Sequence, residues 1–238
     1  MEFEFTIIVP LFNEEENLSR LEAELTSYLQ KASIKTFVLF VNDGSTDDSF
    51  SIIRQISQRN SNFGFISFDK NYGLSAAIKA GINHASTPLI GYMDADLQTD
   101  PKDFELLLPF IKANDLVTGM RVHRQDSLTK KMSSLVANHT RRFFTNDGME
   151  DTCCPLKIIK ADYAKRIPMF RGLHRFLPAM ILLQGGSVKQ VPITHYPRIA
   201  GEAKFNFFNR LVDPFLDCFA YLWMKRNYIN YKISQTNE

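Results

Sequence analysis

Apolar and polar positions alternate along the first hundred residues in blocks of two kinds, short β-branched runs and longer stretches with helical spacing. Phe5 to Pro10 is an apolar run closed by proline, which predicts a buried strand, and Leu11 to Asn17 is the loop that follows. Leu18 to Gln30 then repeats leucine at 18, 21, 25 and 29, one face of a helix. Phe37 to Val41 predicts a second strand, and its polar tail Asn42-Asp43-Gly44-Ser45-Thr46-Asp47-Asp48 predicts a tight turn capping a helix over Ser49 to Gln58. Phe63 to Phe68 predicts a third strand, Lys70-Asn71-Tyr72-Gly73 a turn into a helix through Ile78 and Ile82, and Leu89 to Met93 a fourth strand. Strand and helix in regular succession imply an α/β domain on a doubly wound, mostly parallel sheet. Ligands in such sheets bind beyond the carboxyl ends of the strands, where this chain carries Asn13, Glu14, Asp43, Asp94 and Asp96.

The fourth of these ends is the richest in chemistry. In LIGYMDADLQTDP an apolar run gives way within two positions to Asp94, Asp96 and Gln98. If the backbone stays extended through Asp96, those three oxygen donors share one side of the chain, and Ala95 and Leu97 point back into packing. Adjacent carboxylates repel unless a cation or a donor sits between them, and an all-oxygen set suits Mg²⁺ or Mn²⁺. The competing reading is an Asp-rich turn capping a helix, with Asp100 at the cap and Pro101 at the first helical position. Neither a G-x-G-x-x-G pattern nor a G-K-[ST] phosphate loop occurs. Carboxylates and amides at the strand ends suit hydrogen bonds to a base and ribose with a metal bridging a diphosphate, which describes a nucleotide-sugar site.

Composition changes this picture in two ways. Three cysteines, adjacent Cys153 and Cys154 and distant Cys218, fit neither a disulfide framework nor a zinc spacing, and the acidic N-terminus has no basic leader. A cytoplasmic protein is expected. The formal net charge of +2 conceals a division, because residues 1–154 carry net −6 and residues 155–238 net +8. No nucleic-acid motif accompanies the basic half, so nucleic acid is not the expected partner. Its richness in Phe, Leu and Trp favours anionic lipid head groups or phosphate-bearing substrates over a merely solvated surface.

The runs IIVPLFNEEENL, VNDGSTDDS, KNYGLSAAIKAG and YMDADLQTDP, in this order, resemble family 2 glycosyltransferases. GMR at 119–121, DTCCPLK at 151–157, GLHRFLPAM at 172–180 and HYPRIAGEAKF at 195–205 resemble the branch of dolichyl- and undecaprenyl-phosphate sugar synthases. The resemblance implies a glycosyltransferase A fold over residues 1–204, followed by a helical, acceptor- or membrane-facing extension over 205–238. It implies that Pro10, Asn13, Glu14, Asp43 and Gly73 line the base and ribose, that Asp94 sits near the ribose, and that Asp96 and Gln98 hold the metal. Two positions depart from the pattern: Cys153 stands where the family usually has glycine, and Ala203 where it often has serine.

On the acceptor side, Arg121, Arg124, Lys130, Lys131, Arg141 and Arg142 fall in a stretch whose only acid is Asp126. Guanidinium groups clamp phosphates bidentately, and a sugar nucleotide meeting a lipid phosphate brings three phosphates together. Arg121, Arg124, Lys131, His174 and Arg175 are therefore acceptor-side candidates, and His195, Arg198 and Lys204 donor-phosphate candidates; Arg141 and Arg142 read as a solvated helix face. The C-terminus, broken by Arg210, Asp213, Pro214 and Asp217, cannot easily span a bilayer. It reads either as an interfacial helix, with Phe219, Tyr221 and Trp223 at head-group depth and Lys225-Arg226 on phosphates, or as a helix packed on its own sheet or a partner.

These observations predict an inverting, metal-dependent enzyme, with Asp94, Asp96, Asp151 and Arg121 at its centre, that moves a hexose from a UDP- or GDP-linked sugar to polyprenyl phosphate at the inner membrane face. Two alternatives remain. One is transfer to a saccharide hydroxyl with Asp151 as general base. The other is a non-catalytic nucleotide-sugar-binding subunit.

Overall fold

The computed structural model describes residues 2–122, 141–197, 212–230 and 234–235. Its frame is a seven-stranded sheet of β1 (Phe5–Leu11), β2 (Thr36–Asn42), β3 (Phe63–Ser67), β4 (Leu89–Tyr92), β5 (Leu116–Val122), β6 (Lys157–Lys160) and β7 (Val188–Thr194), in the order β3-β2-β1-β4-β6-β5-β7. All neighbours pair in parallel except β6, which runs antiparallel to both β4 and β5. Helices α1 (Glu15–Leu29), α2 (Ser49–Arg59) and α3 (Leu74–His84) follow the first three strands, and α4 (Phe104–Leu107), α5 (Ala161–Lys165), α6 (Leu177–Leu183) and α7 (Val212–Asn227) complete the described helices.

The period of two sorts the strand residues between two cores. Phe5, Ile7, Val9, Val38 and Phe40 pack with Leu18, Leu21 and Leu25 of α1 and Ile53 and Ile56 of α2. Ile8, Leu39 and Val41 pack on the other face with Ala77, Ile78 and Ile82 of α3. The doubly wound architecture thus follows from strands that are apolar on both faces, each of which needs its own helical cover.

α7 belongs to the second of these cores. Cys218 and Tyr221 are buried in it, and Tyr221 stacks on Phe176 with ring centroids 5.6 Å apart. Of the two readings of this helix, Tyr221 follows the one packed on the sheet and does not lie at a head-group layer. The expected division at 204/205 lies outside the described residues, and the helix beyond it shares the core built on Ile8, Leu39 and Val41.

The Asp-rich stretch also differs from expectation. β4 stops at Tyr92, and Leu97 takes a left-handed φ of 53°, so the chain does not stay extended through Asp96. Asp96 Oδ1 accepts a bond from the Gln98 amide at 3.1 Å, which draws the backbone into a turn. Ala95 and Leu97 are nevertheless buried among the core residues of the α1 side. Asp100 caps the short 3₁₀ turn Pro101–Asp103 by accepting from Lys102 N at 2.9 Å, so capping falls to Asp100 and not to Asp94 or Asp96.

Candidate active site

The strand order reverses direction between β1 and β4, and in a doubly wound sheet the crevice at that point receives the ligand. Pro10 lies at its mouth. Leu11 O accepts from Asp43 N on the β2 side and Ile8 O from Met93 N on the β4 side, so the backbone of Pro10 faces β4. β4 has already ended there, which is why a residue without an N–H is tolerated in a central strand.

Around this crevice three loops are tied together by side chains. Asn13, at φ 50°, receives Thr46 N on its Oδ1 at 2.8 Å, and its own N donates to Ser45 Oγ at 2.9 Å. Glu14 accepts from Asn17 Nδ2 at 2.7 Å, and its N donates to Ser49 Oγ at 2.9 Å. Asp43 is buried and holds the next loop with both oxygens, accepting Tyr72 N at 2.7 Å and Gly73 N at 2.9 Å. Burial raises its pKa, and these two N–H bonds oppose the rise. Gly73 turns at φ 92° with open space where a side chain would stand, and Gly44, at φ 69°, lies so close to Lys70 that a Cβ would be 2.2 Å from its carbonyl carbon. A side chain at position 44 would separate the loops.

Asp94 and Asp96 stand beside this frame. Tyr92 donates its hydroxyl to Asp94 Oδ1 at 2.6 Å, between two residues on the same side of the strand end. Burial, and then the charge of Asp96, push the Asp94 carboxyl up to about 6, with Tyr92, Lys157 and Arg121 opposing. Two carboxylates near enough for the charge of Asp96 to raise the pKa of Asp94, with the backbone N–H of Gln98 on Asp96, fit a hard divalent cation. Among the described residues no group of three or more His, Cys, Asp or Glu could hold a metal. The backbone of Gln98 also accepts Tyr196 N at 3.0 Å, which brings the segment after β7, including His195, against the Asp-rich turn.

The residues expected on the acceptor side are built on a buried ion pair. Arg121 donates from Nε to Asp151 Oδ2 at 2.7 Å and from Nη2 to Oδ1 at 2.9 Å, and its own N adds a third bond at 3.2 Å. Burial alone would raise the Asp151 carboxyl; the bonds and charge of Arg121 overcome that and hold it below the usual range. Both oxygens of Asp151 are therefore engaged, which leaves it a poor proton acceptor. Next to the pair lies Lys157, a fully buried lysine that the sequence reading did not single out. It stands opposite Tyr92 in the β4–β6 register, donates to Cys154 O, and has its Nζ 5.9 Å from the Tyr92 ring centre.

Of the remaining candidates, Arg175 donates to Asp217 of α7 at 2.9 Å and His174 Nδ1 lies 2.7 Å from Ser75 Oγ. Arg141 is not a solvated residue as expected: it is buried, pairs with Asp147 and donates to Met149 O at 2.9 Å, closing the turn over 141–149. Arg142, which is exposed, adds a bond to the same carbonyl. Arg124, Lys130, Lys131, Arg198, Ala203 and Lys204 lie outside the described residues.

A dodecaprenyl-phosphate galacturonate synthase of Rhizobium johnstonii is 29% identical over 229 residues, covering 94% of this chain and 68% of the relative. An undecaprenyl-phosphate 4-deoxy-4-formamido-L-arabinose transferase of Salmonella choleraesuis is 31% identical over 216 residues, 89% of this chain and 65% of the relative. The chain thus spans about two thirds of the length of these relatives. Among solved structures, glucosyl-3-phosphoglycerate synthase of Mycobacterium tuberculosis, in complex with Mn²⁺, UDP-glucose and phosphoglyceric acid, superposes with a TM-score of 0.72 at 13% identity, over 96% of this chain and 81% of that one. A mannosyltransferase of Pyrobaculum calidifontis in complex with GDP-mannose and Mn²⁺ gives 0.67 at 16% identity, over 93% and 64%. These likenesses establish the fold as that of the glycosyltransferase A type. The sequence description of the Glycosyl transferase family 2 matches residues 6–167, the span that holds the crevice between β1 and β4, the Asp94–Gln98 turn and the Arg121–Asp151 pair, and the chain belongs to that family.

Proposed function

We propose that this chain is an inverting, metal-dependent glycosyltransferase that moves a hexose from a UDP- or GDP-linked sugar to polyprenyl phosphate at a membrane surface. The observation that carries the reading is the Arg121–Asp151 pair. A saccharide hydroxyl needs a side chain to take its proton, and the carboxylate best placed by sequence has both oxygens on Arg121. A polyprenyl phosphate oxygen is already ionised and needs position and charge neutralisation instead. The names of the two relatives, both polyprenyl-phosphate sugar transferases, support the same acceptor class.

On the donor side, Asp43, Asn13 and Glu14 hold the loops that would line the base and ribose, with Gly73 leaving room at the surface of the pocket. Asp96 and Gln98 would hold Mg²⁺ or Mn²⁺, with Asp94 beside them; the ion, when bound, supplies Lewis-acid stabilisation of the departing diphosphate. Arg121 and Arg175, each oriented by a carboxylate partner, would offer guanidinium N–H donors where an anionic nucleophile approaches an anionic donor, and Arg124, Lys131, Arg198 and Lys204 are further cations proposed for the phosphates. A single displacement from the face opposite the leaving group inverts the anomeric centre.

The same reading covers the surface of α7. Opposite Cys218 and Tyr221 the helix exposes Phe215, Leu216, Phe219, Leu222 and Trp223, and Phe143 joins them through Phe144. Lys225 and Arg226 in its last turn lie next to this face. Apolar rings bordered by cations suit an anionic lipid surface, and among the described residues no helix is long and apolar enough to cross a membrane. A peripheral contact with the bilayer that holds the acceptor follows. Purified protein given a nucleotide sugar and Mn²⁺ should glycosylate undecaprenyl phosphate and leave saccharide acceptors untouched; transfer to the saccharide alone would overturn the proposal.

A further inference from the structure

Ser75 stands in the first turn of α3, two residues beyond Gly73, and is buried. Its Oγ accepts the Gly172 N–H at 3.0 Å and lies 2.7 Å from His174 Nδ1, so one hydroxyl joins the donor-side helix to the turn that carries His174 and Arg175. The direction of the second bond follows from proton counting. Gly172 N–H occupies one lone pair of the hydroxyl, and among the described residues Nδ1 is the acceptor within reach of its single proton. Ser75 therefore donates to Nδ1, and a neutral ring so held carries its proton on Nε2. Gly172 is needed for this arrangement, because at φ 92° a Cβ there would lie 2.2 Å from Asp217 Oδ2.

The surroundings keep the ring neutral. Burial, then Arg175 on the same turn and Lys157 on β6, lower the His174 pKa to about 3. Ser75 from α3 offers no charge, and the Asp217 carboxylate of α7, which would favour a charged ring, is engaged by Arg175 at 2.9 Å. His174 cannot then be the cation that its place beside Arg175 suggests. What it can offer is an N–H of fixed direction whose donor capacity does not change with pH.

We propose that Ser75 is a positioning residue, and that it fixes His174 as a neutral Nε2–H donor to a phosphoryl oxygen in the active site. The proposal deepens the polyprenyl-phosphate reading and rests on it for the ligand. Both the acceptor phosphate and the departing diphosphate offer such oxygens, and kinetics separate them.

The test uses the full chain with ¹⁵N-labelled histidine. The His174 signal, assigned by its loss in His174→Gln, should show the neutral tautomer protonated on Nε2 and should not titrate between about pH 5 and 8. Ser75→Ala should mix the tautomers, and Ser75→Thr, which keeps the hydroxyl, should restore the single form. In transfer assays Ser75→Ala should lose about tenfold in kcat/KM, the scale of one hydrogen bond of orientation. A loss confined to the KM for undecaprenyl phosphate assigns the acceptor oxygen, and a loss in kcat with that KM unchanged assigns the departing diphosphate. A ring protonated on Nδ1, a ring that titrates in this range, or a Ser75→Ala spectrum identical to wild type would overturn the positioning role. If no polyprenyl phosphate is glycosylated, the phosphoryl role falls with the function proposed above, whereas the tautomer measurement still judges Ser75 by itself.

Discussion

Asp151→Asn separates a structural clamp from a catalytic base. The side chains of Arg121 and Asp151 are 12% and 9% exposed, and their contact combines two charge-assisted bonds at 2.7 and 2.9 Å with a third from the Arg121 backbone. Removing one partner of a buried pair typically costs about 3–5 kcal/mol, because the other charge is left without its counterion. For 238 residues the unfolding entropy is about 0.5 kcal/mol per degree, so the expected fall in melting temperature is about 6–10 °C. The pH dependence has a definite sign. The Asp151 carboxyl is depressed in the folded protein, so its contribution is present above the unfolded value near about 4 and is lost as pH falls through the lower folded value. Wild type and variant should therefore differ by a constant amount between about pH 6 and 8 and converge only in acid. Arg121→Met combined with Asp151→Asn should cost much less than the two single changes added together. Transfer by Asp151→Asn, assayed well below its melting point, should fall by less than about tenfold, whereas loss of a general base costs about 10²–10⁴-fold. A variant that melts with wild type yet loses more than about a hundredfold in rate would refute the clamp and restore the hydroxyl-acceptor reading.

Four further outcomes follow from other parts of the structure. Asp96→Asn should abolish transfer and weaken Mn²⁺ binding measured by calorimetry, with the fold kept by circular dichroism; full activity in excess chelator would remove the metal. Gly44→Ala should cost at least about 2 kcal/mol in denaturant melts, since it meets both a left-handed φ and the Lys70 backbone, and should raise the KM for the nucleotide sugar. Asp103 has a buried, unpartnered Oδ2, and burial with the charge of Asp100 raises its carboxyl to about 6, so the stability it contributes is full below about pH 4 and lost as pH rises through 6. Asp103→Asn should consequently stabilise the protein by about 1–2 kcal/mol at pH 8, after allowance for solvent screening of a half-buried group, and by nothing at pH 4; equal melting temperatures at pH 8 would contradict this. Phe219→Glu with Trp223→Glu should release the protein from anionic vesicles in a flotation assay while leaving its melting temperature within a few degrees, and unchanged flotation would reassign that face.

What was legible in the sequence is what local periodicity controls. The leucines of α1 and the alternating residues of β1 and β2 announce their partners, because each strand buries two faces and each helix one. The carboxylates at the strand ends were visible as residue types, but not what they hold: Asp43 spends both oxygens on backbone N–H groups about thirty residues away, a pairing that no local pattern encodes. The Asp94–Gln98 turn escaped the period-of-two argument because a side chain, Asp96, competes for the backbone and bends it. The two readings of Tyr221, at a head-group layer or against the sheet, stay open in the sequence because α7 is apolar around much of its circumference. A helix of that kind has two faces to cover, and the sequence does not say which one meets the sheet.

The antiparallel β6 explains why the residues proposed for donor and acceptor meet at all. A parallel strand between β4 and β5 would bring its carboxyl end, near Lys160, to the crevice and leave residues 151–156 at the opposite edge of the sheet. Because β6 runs the other way, its first residue, Lys157, arrives opposite Tyr92, the last residue of β4, and the preceding loop is delivered beside the ends of β4 and β5. Asp151 thereby meets Arg121 near the end of β5, and Cys154 O meets the Lys157 ammonium beneath the Tyr92–Asp94 bond. Two other ties cross between the halves, Gln98 O with Tyr196 N and Ser75 Oγ with Gly172 N, and both also leave from the carboxyl edge. Reversal of one short strand thus places cations from late in the chain against carboxylates from early in it, the juxtaposition that the proposed transfer between two phosphate-bearing substrates would require.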